Sequence, residues 1–410
     1  MAAASELNVN GTKVRVTNLD KVFYPKTGFT KGDVINYYIH ISPFLLPHLK
    51  DRPITLKRYP NGVEGFFFYE KQCPAGRPQS VKTAKVPKSD GGEVNYCVMN
   101  DLPGLVWAAN LADLELHTFL HKAPAIARPT ALAFDLDPGA PADIVTCCEI
   151  ALQLKTLLDA LKLKSFAKTS GSKGLQIYVP LNTPVTYEKT KAFAHALAEL
   201  LENQSPHRVV SKMQKSLRKG KVFVDWSQND DHKTTVNVYS LRAKEHPTVS
   251  TPVSWDEVET ALKKKRASLL VFEADAVLKR VQTLGDLFAP VLLLKQKLPS
   301  LENLKLGICM QLIQILLPLF DNSGRPFPAT CHQKVKTELT QQFGGLTSYT
   351  RAPAEGAWTK GRKTKREDIV VYEVMANSTK PDWWRLYRRK LEKRFRQQTV
   401  VIRAQTVRRL

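Results

Sequence analysis

The 410-residue chain contains no apolar run of 18 or more residues, which excludes a hydrophobic helix long enough to cross a bilayer. Its first residues, MAAASELNVNGTK, lack the charged start and apolar core of a secretory leader. A cytoplasmic, nucleoid-associated protein with no membrane partner is therefore expected. Six cysteines stand at positions 73, 97, 147, 148, 309 and 331, and no two form a C-x-x-C pair. That pattern argues against both a zinc site and a disulfide framework. Internal repeats and low-complexity tracts are also missing. Acidic charge is scarce, with 38 Asp and Glu against 61 Lys and Arg, for a net charge of +23. A surplus of this size points to a polyanionic partner, nucleic acid ahead of a membrane surface.

What is present fits a globular chain, with 43% hydrophobic residues and 9% aromatics. Strand and helix signals alternate through residues 1–290, predicting a mixed α/β (α+β) domain. Strands are expected at PITLKRYP (53–60), GFFFYEK (65–71), EVNYCVMN (93–100), ALAFDLD (131–137) and KVFVDW (221–226). Helices are expected at 102–121, 143–162, 187–203 and 255–264. Residues 291–305, with Pro299 and Ser300, read as a linker. From 306 to 410 the order strand, helix, strand, strand, helix, strand predicts a small ferredoxin-like βαββαβ domain. Residues 301–410 hold 21 basic and 9 acidic residues, so +12 of the net charge lies there.

The chemistry starts at FDLDPG (134–139). A strand sends residues i and i+2 to one face, so Asp135 and Asp137 stand side by side while Phe134 and Leu136 point into a core. Two close carboxylates repel, and one stays protonated unless a cation lies between them. A strand end running into a Pro-Gly turn would contain the same residues. Asp225, closing the apolar strand KVFVDW, supplies a third acid. Three acids from neighbouring strands could hold two divalent ions for phosphoryl transfer. The Gly-rich turn TSGSKG (169–174) could cradle phosphates, with Lys173 adding a point charge, or could be a plain hairpin turn.

These residues lie within an ordered set: TNLDKVFYPKTGFTKGDVINYY, RPITLKRYPNGVEG, LELH, FDLDPG, TSGSKGL, VFVDWSQND and KTTVNVYSLR…PTVSTPVSW. Over residues 12 to about 285 the chain resembles the polymerase domain of bacterial ligase D, the end-joining branch of the archaeo-eukaryotic primase superfamily. The resemblance implies a primase-polymerase fold whose central mixed sheet carries the acidic triad Asp135, Asp137 and Asp225. It implies a template-directed nucleotidyltransferase that adds ribo- or deoxynucleotides at gaps and double-strand breaks during non-homologous end joining, using Mn²⁺ or Mg²⁺. His117, Ser170, Lys173, Gln176 and Arg242 fall where the incoming nucleotide is held. Asn18, Lys21 and Lys31 fall where a 5′-phosphate of the DNA is gripped. Lys57, Phe68, Tyr69, Arg218 and Gln228 complete the implied DNA contacts, the two aromatics by stacking on template bases. DNA ends, NTP or dNTP substrates, the end-binding protein Ku and a separately encoded ATP-dependent DNA ligase are the implied partners.

Gln176 departs from the family pattern, which commonly has histidine there; an amide can donate a hydrogen bond but carries no charge. The alternatives are a non-catalytic DNA-end-binding module, which would not need all three acids, and a metal-dependent nuclease, which would not need a nucleotide pocket. KSDG (88–91) matches the K-x-D-G motif of ligase adenylation sites but reads as a hairpin turn. In the tail, Trp384, Tyr387, Leu391 and Phe395 repeat at helical spacing and should form a core face. The intervening basic residues and KGRKTKR (360–366) suggest an appendage that contacts DNA.

Overall fold

The computed structural model describes residues 4–407 apart from 89, 301–309, 322, 361–362 and 377–380, with backbone alone at 4, 124, 310, 350–360, 363–367, 381–382 and 406. The chain divides into two units, Met1–Leu301 and Glu302–Leu410. Among the described residues no helix is long and apolar enough to cross a membrane.

The first unit is built on two sheets. One has six strands in the order Val209–Val210, Val222–Asp225, Ala131–Pro138, Leu175–Pro180, Phe166–Thr169 and Pro252–Val253. Its first pair is parallel and the rest antiparallel, so the sheet is mixed. Phe134 and Leu136 are fully buried behind Ala131–Pro138, as the alternation predicts. The helix Ile144–Ala160 covers that back face, and Cys147 Sγ donates to the Leu136 carbonyl at 3.4 Å. Leu175–Pro180 approaches so closely that a Cβ at Gly174 would sit 1.9 Å from the Leu136 oxygen. Glycine is therefore required where the Gly-Ser turn passes the acidic strand.

The second sheet runs Thr235–Val236, Asp113–Thr118, Pro53–Arg58, Glu93–Val98 and Lys82–Pro87, with Phe68–Glu70 paired to Pro53–Arg58. Here two expectations fail. The helix expected over 102–121 stops at Asn110, and Asp113–Thr118 is a strand. Its sequence DLELHT alternates polar and apolar residues, a strand period that directly follows the helical run LPGLVWAAN and that the longer helix span overrode. Cys73 and Cys97 form a disulfide with Cα atoms 4.8 Å apart, although no disulfide was expected. The Cys73 amide also bonds the Asn95 carbonyl, so the loop after Phe68–Glu70 lies along Glu93–Val98, a proximity that sequence spacing does not reveal. The KSDG segment joins Lys82–Pro87 to Glu93–Val98, consistent with a turn. Residues 291–300, expected as the start of a linker, are tied to the first unit. Asn182 Nδ2 donates to the carbonyls of Val291 and Leu294, and Gln296 bonds Lys164 and Pro180.

The second unit is a four-stranded antiparallel sheet ordered Thr347–Lys360, Lys363–Ala376, Met310–Pro318 and Val401–Val407. Helices Ala329–Phe343 and Pro381–Arg394 share its core, in which Ile313, Ile315, Leu317, Val370, Tyr372 and Val374 meet Val335 and Leu339. Trp384, Tyr387, Leu391 and Phe395 join the same core, as their spacing predicts. Glu338 clamps the two helices, accepting from Tyr387 Oη (2.9 Å), Lys390 Nζ (2.7 Å) and Arg394 Nη2 (2.8 Å). Arg388, Arg389, Lys393 and Arg396 are exposed. The tip of the basic hairpin at 360–366 lies outside the described residues. Because each unit has its own core, removing residues 302–410 is expected to leave a folded first unit. Circular dichroism and thermal unfolding check this, and aggregation of the truncated chain would show that the core of the first unit needs the second.

Candidate active site

The antiparallel register places Asp135 directly opposite Asp225 on one neighbouring strand and opposite Gln176 on the other. Gln176 in turn lies opposite Lys168. Opposed residues share a face, so these four side chains form one polar row across four adjacent strands. Asp137, two residues beyond Asp135, joins the same face.

The row is poorly compensated at its centre. Asp135 Oδ1 is buried and has no hydrogen-bond partner. Burial, and then the charge of Asp137, push the Asp135 carboxyl above its ordinary range, while a hydrogen bond from Gln176 pulls the other way. Burial and the charge of Asp225 likewise raise Asp137, against Arg218, Arg242 and Lys173. Asp225 is held in place: Oδ1 accepts from Ser227 N (2.8 Å) and Oγ (2.5 Å), and Oδ2 from Gln228 Nε2 (3.0 Å). At the other end Lys168 is fully buried and its ammonium donates to Gln176 Oε1 (2.6 Å), Ser250 Oγ (2.7 Å) and the Val236 carbonyl (3.1 Å). Burial lowers its pKa and Asp135 opposes that shift. Gln176, only 3% exposed, thus accepts from a lysine on one side and stands opposite an aspartate on the other.

Above the row sits the TSGSKG turn. Ser170 Oγ accepts from the amides of Ser172 (3.2 Å) and Gly174 (3.1 Å). Those two amides are therefore spent inside the turn, which offers a ligand the Ser170 hydroxyl and the exposed Lys173. Arg242 Nη1 donates to the Ser170 carbonyl and Thr248 Oγ1 to that of Gly171.

The second sheet forms the facing wall. Glu115, 1% exposed, accepts from His117 Nε2 (3.0 Å), Lys57 Nζ (3.3 Å), Ala243 N (3.1 Å) and Tyr59 Oη (3.4 Å). Arg242 Nε lies 3.3 Å from Glu115 Oε2, a charge pairing whose angle does not make a hydrogen bond. Burial lowers the pKa of His117, and Glu115 resists the shift. Lys57 Nζ stands 4.8 to 5.4 Å from the ring centres of Phe67, Tyr59 and Tyr69. Between the walls lies a cleft of about 500 Å³. Of the residues singled out from sequence, it is lined by Asp135, Asp137, His117, Ser170, Lys173, Gln176, Arg242, Tyr69 and Gln228.

Asp225, Lys57, Phe68, Arg218, Asn18, Lys21 and Lys31 lie outside that lining, with Phe68 next to the lining residue Tyr69. Phe68 is half-buried, while Tyr69 (55%) and the unanticipated Phe66 (74%) are exposed, and Phe66 stacks on Phe68 at 6.0 Å. Arg218 lies over the Phe223 ring at 3.7 Å. Asn18 is exposed with φ +55, and its carbonyl accepts from the Lys21 amide. Lys21 Nζ donates to the Pro60 carbonyl (2.7 Å) and Asn61 (2.9 Å). Lys31, conceivable from sequence as a solvated lysine, is buried and donates to the Thr17 carbonyl at 2.6 Å. The Thr30–Asp33 capping box fixes it at the first position of the helix Lys31–Leu49. Burial, and then the charge of Lys21, lower the Lys31 pKa to about 8. At the edge of the cleft, which His232 helps to line, Asp230, Asp231 and His232 bring ligand-type atoms within 4.8 Å of one another, but Asp230 is already paired with Lys191 at 2.6 Å.

Glu115 and Lys168 escaped the sequence reading. Glu115 lies within LELH, where only His117 is singled out, and the partners of both residues lie up to 128 residues away.

Comparison with known proteins bears on this arrangement. Residues 30–288 match the family model described as the LigD primase-polymerase domain. The chain is 41% identical over 285 residues to the multifunctional non-homologous end joining protein LigD of Mycolicibacterium smegmatis, a match that covers 68% of this chain and 36% of that protein. The bifunctional LigD of Bacillus subtilis is 34% identical over 274 residues, covering 67% of this chain and 43% of its own length. The chain thus spans well under half the length of these relatives. Among solved structures, the polymerase domain of Mycobacterium tuberculosis ligase D in complex with DNA superposes with a TM-score of 0.63 at 40% identity, over 68% of this chain and 97% of that domain. The chain belongs to the ligase D primase-polymerase family.

Proposed function

We propose that the first unit is a template-directed nucleotidyltransferase that extends a primer at gapped or broken DNA ends, with NTPs or dNTPs as substrates. The observation that carries this reading is the buried, unpartnered Asp135 Oδ1 at the centre of a carboxylate row lining a basic cleft. Carboxylates driven toward protonation by burial and each other fit a site built for cations. Asp135, Asp137 and Asp225 would hold two ions, Mn²⁺ or Mg²⁺, which when bound supply charge neutralisation at the attacking and leaving oxygens. Ser227 and Gln228 keep Asp225 turned toward the row. Lys173, Arg242, Ser170 and His117 would bind and orient the triphosphate.

Lys21 and Lys31, whose ammoniums repel each other, favour an anion beside them and suit a 5′-phosphate. Phe68, Tyr69 and Phe66 offer faces for template bases, and Arg218 a contact near the acids. A metal nuclease is less favoured because the carboxylates face a wall of nucleotide-type cations. A non-catalytic end-binding module is less favoured because such a module needs no uncompensated acids. The strand order of the second unit agrees with a ferredoxin-like arrangement, and its exposed arginines suit phosphate contacts by Arg388, Arg389, Lys393 and Arg396. The truncated chain described above should then bind DNA more weakly, whereas undiminished binding would make the second unit a protein-docking module. Ku and a ligase activity are proposed as partners in joining the extended ends.

Primer extension on a gapped duplex with a 5′-phosphate tests the central reading. Asp135→Ala should lower extension by about 10³-fold or more, the loss of several kcal/mol at the transition state. DNA binding should persist, since it rests on phosphate contacts. Extension by Asp135→Ala at the parental rate would remove this acid from the site.

Gln176→His should extend primers like the parent above pH 7.5, where a neutral imidazole can still accept from Lys168. As pH falls through about 6.5 the ring protonates. It then opposes the Lys168 ammonium, and extension should drop more steeply than in the parent. Parallel pH profiles would show that Lys168 does not depend on position 176 for its acceptor.

Lys31 loses its proton near pH 8, so its attraction for phosphate is present below that pH and fades above it. The preference for 5′-phosphate over 5′-hydroxyl ends should therefore weaken between pH 7 and 9, and Lys31→Arg should hold it constant. An unchanged preference in the parent across that window would take Lys31 out of the phosphate site.

A further inference from the structure

We infer that Glu115 is a positioning residue that sets the spacing of the cations around the nucleotide. The inference rests on the nucleotidyltransferase reading above. Glu115 does not line the cleft and is 1% exposed, so it cannot touch substrate itself. Its Oε2 nevertheless faces His117 Nε2 at 3.0 Å, Lys57 Nζ at 3.3 Å and Arg242 Nε at 3.3 Å. Oε1 is anchored from behind by the Ala243 amide (3.1 Å) and Tyr59 Oη (3.4 Å). A single carboxylate oxygen thus fixes three basic groups, two of which line the cleft.

The consequences reach across the site. Arg242 continues from Glu115 to the Ser170 carbonyl, so the chain Glu115–Arg242–Ser170 links the second sheet to the turn above the acids. Lys57, held by the same oxygen, is ringed by Tyr59, Phe67 and Tyr69, and Tyr69 meets the His117 ring edge-on at 6.0 Å. Burial alone would raise the Glu115 pKa, but His117, Arg242 and Lys57 overcome it and hold the carboxyl well below its usual range. The charge is therefore permanent at working pH. A permanent negative charge beside a triphosphate pocket repels the substrate. Simple electrostatics then predicts that removing it tightens nucleotide binding, whereas the positioning role predicts the opposite sign.

Glu115→Gln in the full chain decides between them by that sign. Nucleotide KM in primer extension should rise, with kcat/KM falling about 10- to 100-fold, the cost of displacing oriented contacts by about an ångström. In an Arg242→Gln background the same substitution should cost clearly less than in the parent, because only the route through His117 remains. Thermal unfolding serves as the control for folding. Glu115→Asp keeps the charge but withdraws it by one methylene, so it should also raise KM. An unchanged or lower KM in Glu115→Gln, or full additivity with Arg242→Gln, overturns the inference. If neither variant folds, Glu115 is a folding residue and the inference fails. A parent protein that neither binds nor incorporates nucleotide would instead overturn the nucleotidyltransferase reading.

Discussion

One cross-strand register governs the site: Asp225, Asp135, Gln176 and Lys168 stand opposite one another on four neighbouring strands. A slip of one residue in any of these pairings would turn a charged side chain into the core and an apolar one out. Phe134 and Leu136 behind the row, with the helix Ile144–Ala160 against them, resist that slip by burial. Gly174 adds a steric lock where the turn crosses the Leu136 carbonyl. The acids are thus close because the apolar half of the same strands leaves them no other place.

Charge is distributed between the two walls with opposite sign. The acid row carries two carboxylates whose pKa values burial and mutual repulsion raise. The facing wall gathers Lys57, His117 and Arg242 around one buried carboxylate. A phosphate chain approaching with cations would meet complementary charge on both sides, in a cleft partly shielded from water, where such contacts are stronger than in bulk solvent. Gln176 fits this balance as a neutral bridge between a buried lysine and a buried aspartate. A permanent charge at that position would conflict with one neighbour or the other.

Much of this was visible in the sequence because local rules apply to it. Asp135 and Asp137 share a face by strand alternation, and the helices expected from 143 and 255 begin at Ile144 and Trp255. The pattern of the last hundred residues was readable for the same reason, since Trp384, Tyr387, Leu391 and Phe395 follow one helical stripe. What escaped depends on pairing between distant segments. Lys168 looks like any strand lysine until Ser250 and Val236 surround it, and Glu115 gains meaning only from Arg242. The strand Asp113–Thr118 carries a clear alternation, D-L-E-L-H-T, but it follows the helix Leu102–Asn110 after only two residues and is absorbed into that helical span. The Cys73–Cys97 bridge had no spacing motif to announce it.

Nucleotidyl transfer at the acid row requires cations between its carboxylates, and diffraction can locate them directly. Crystals of the full chain soaked with Mn²⁺ and a non-hydrolysable nucleotide should give anomalous difference density between Asp135, Asp137 and Asp225. Density confined to Asp230, Asp231 and His232, with none at the row, would contradict it.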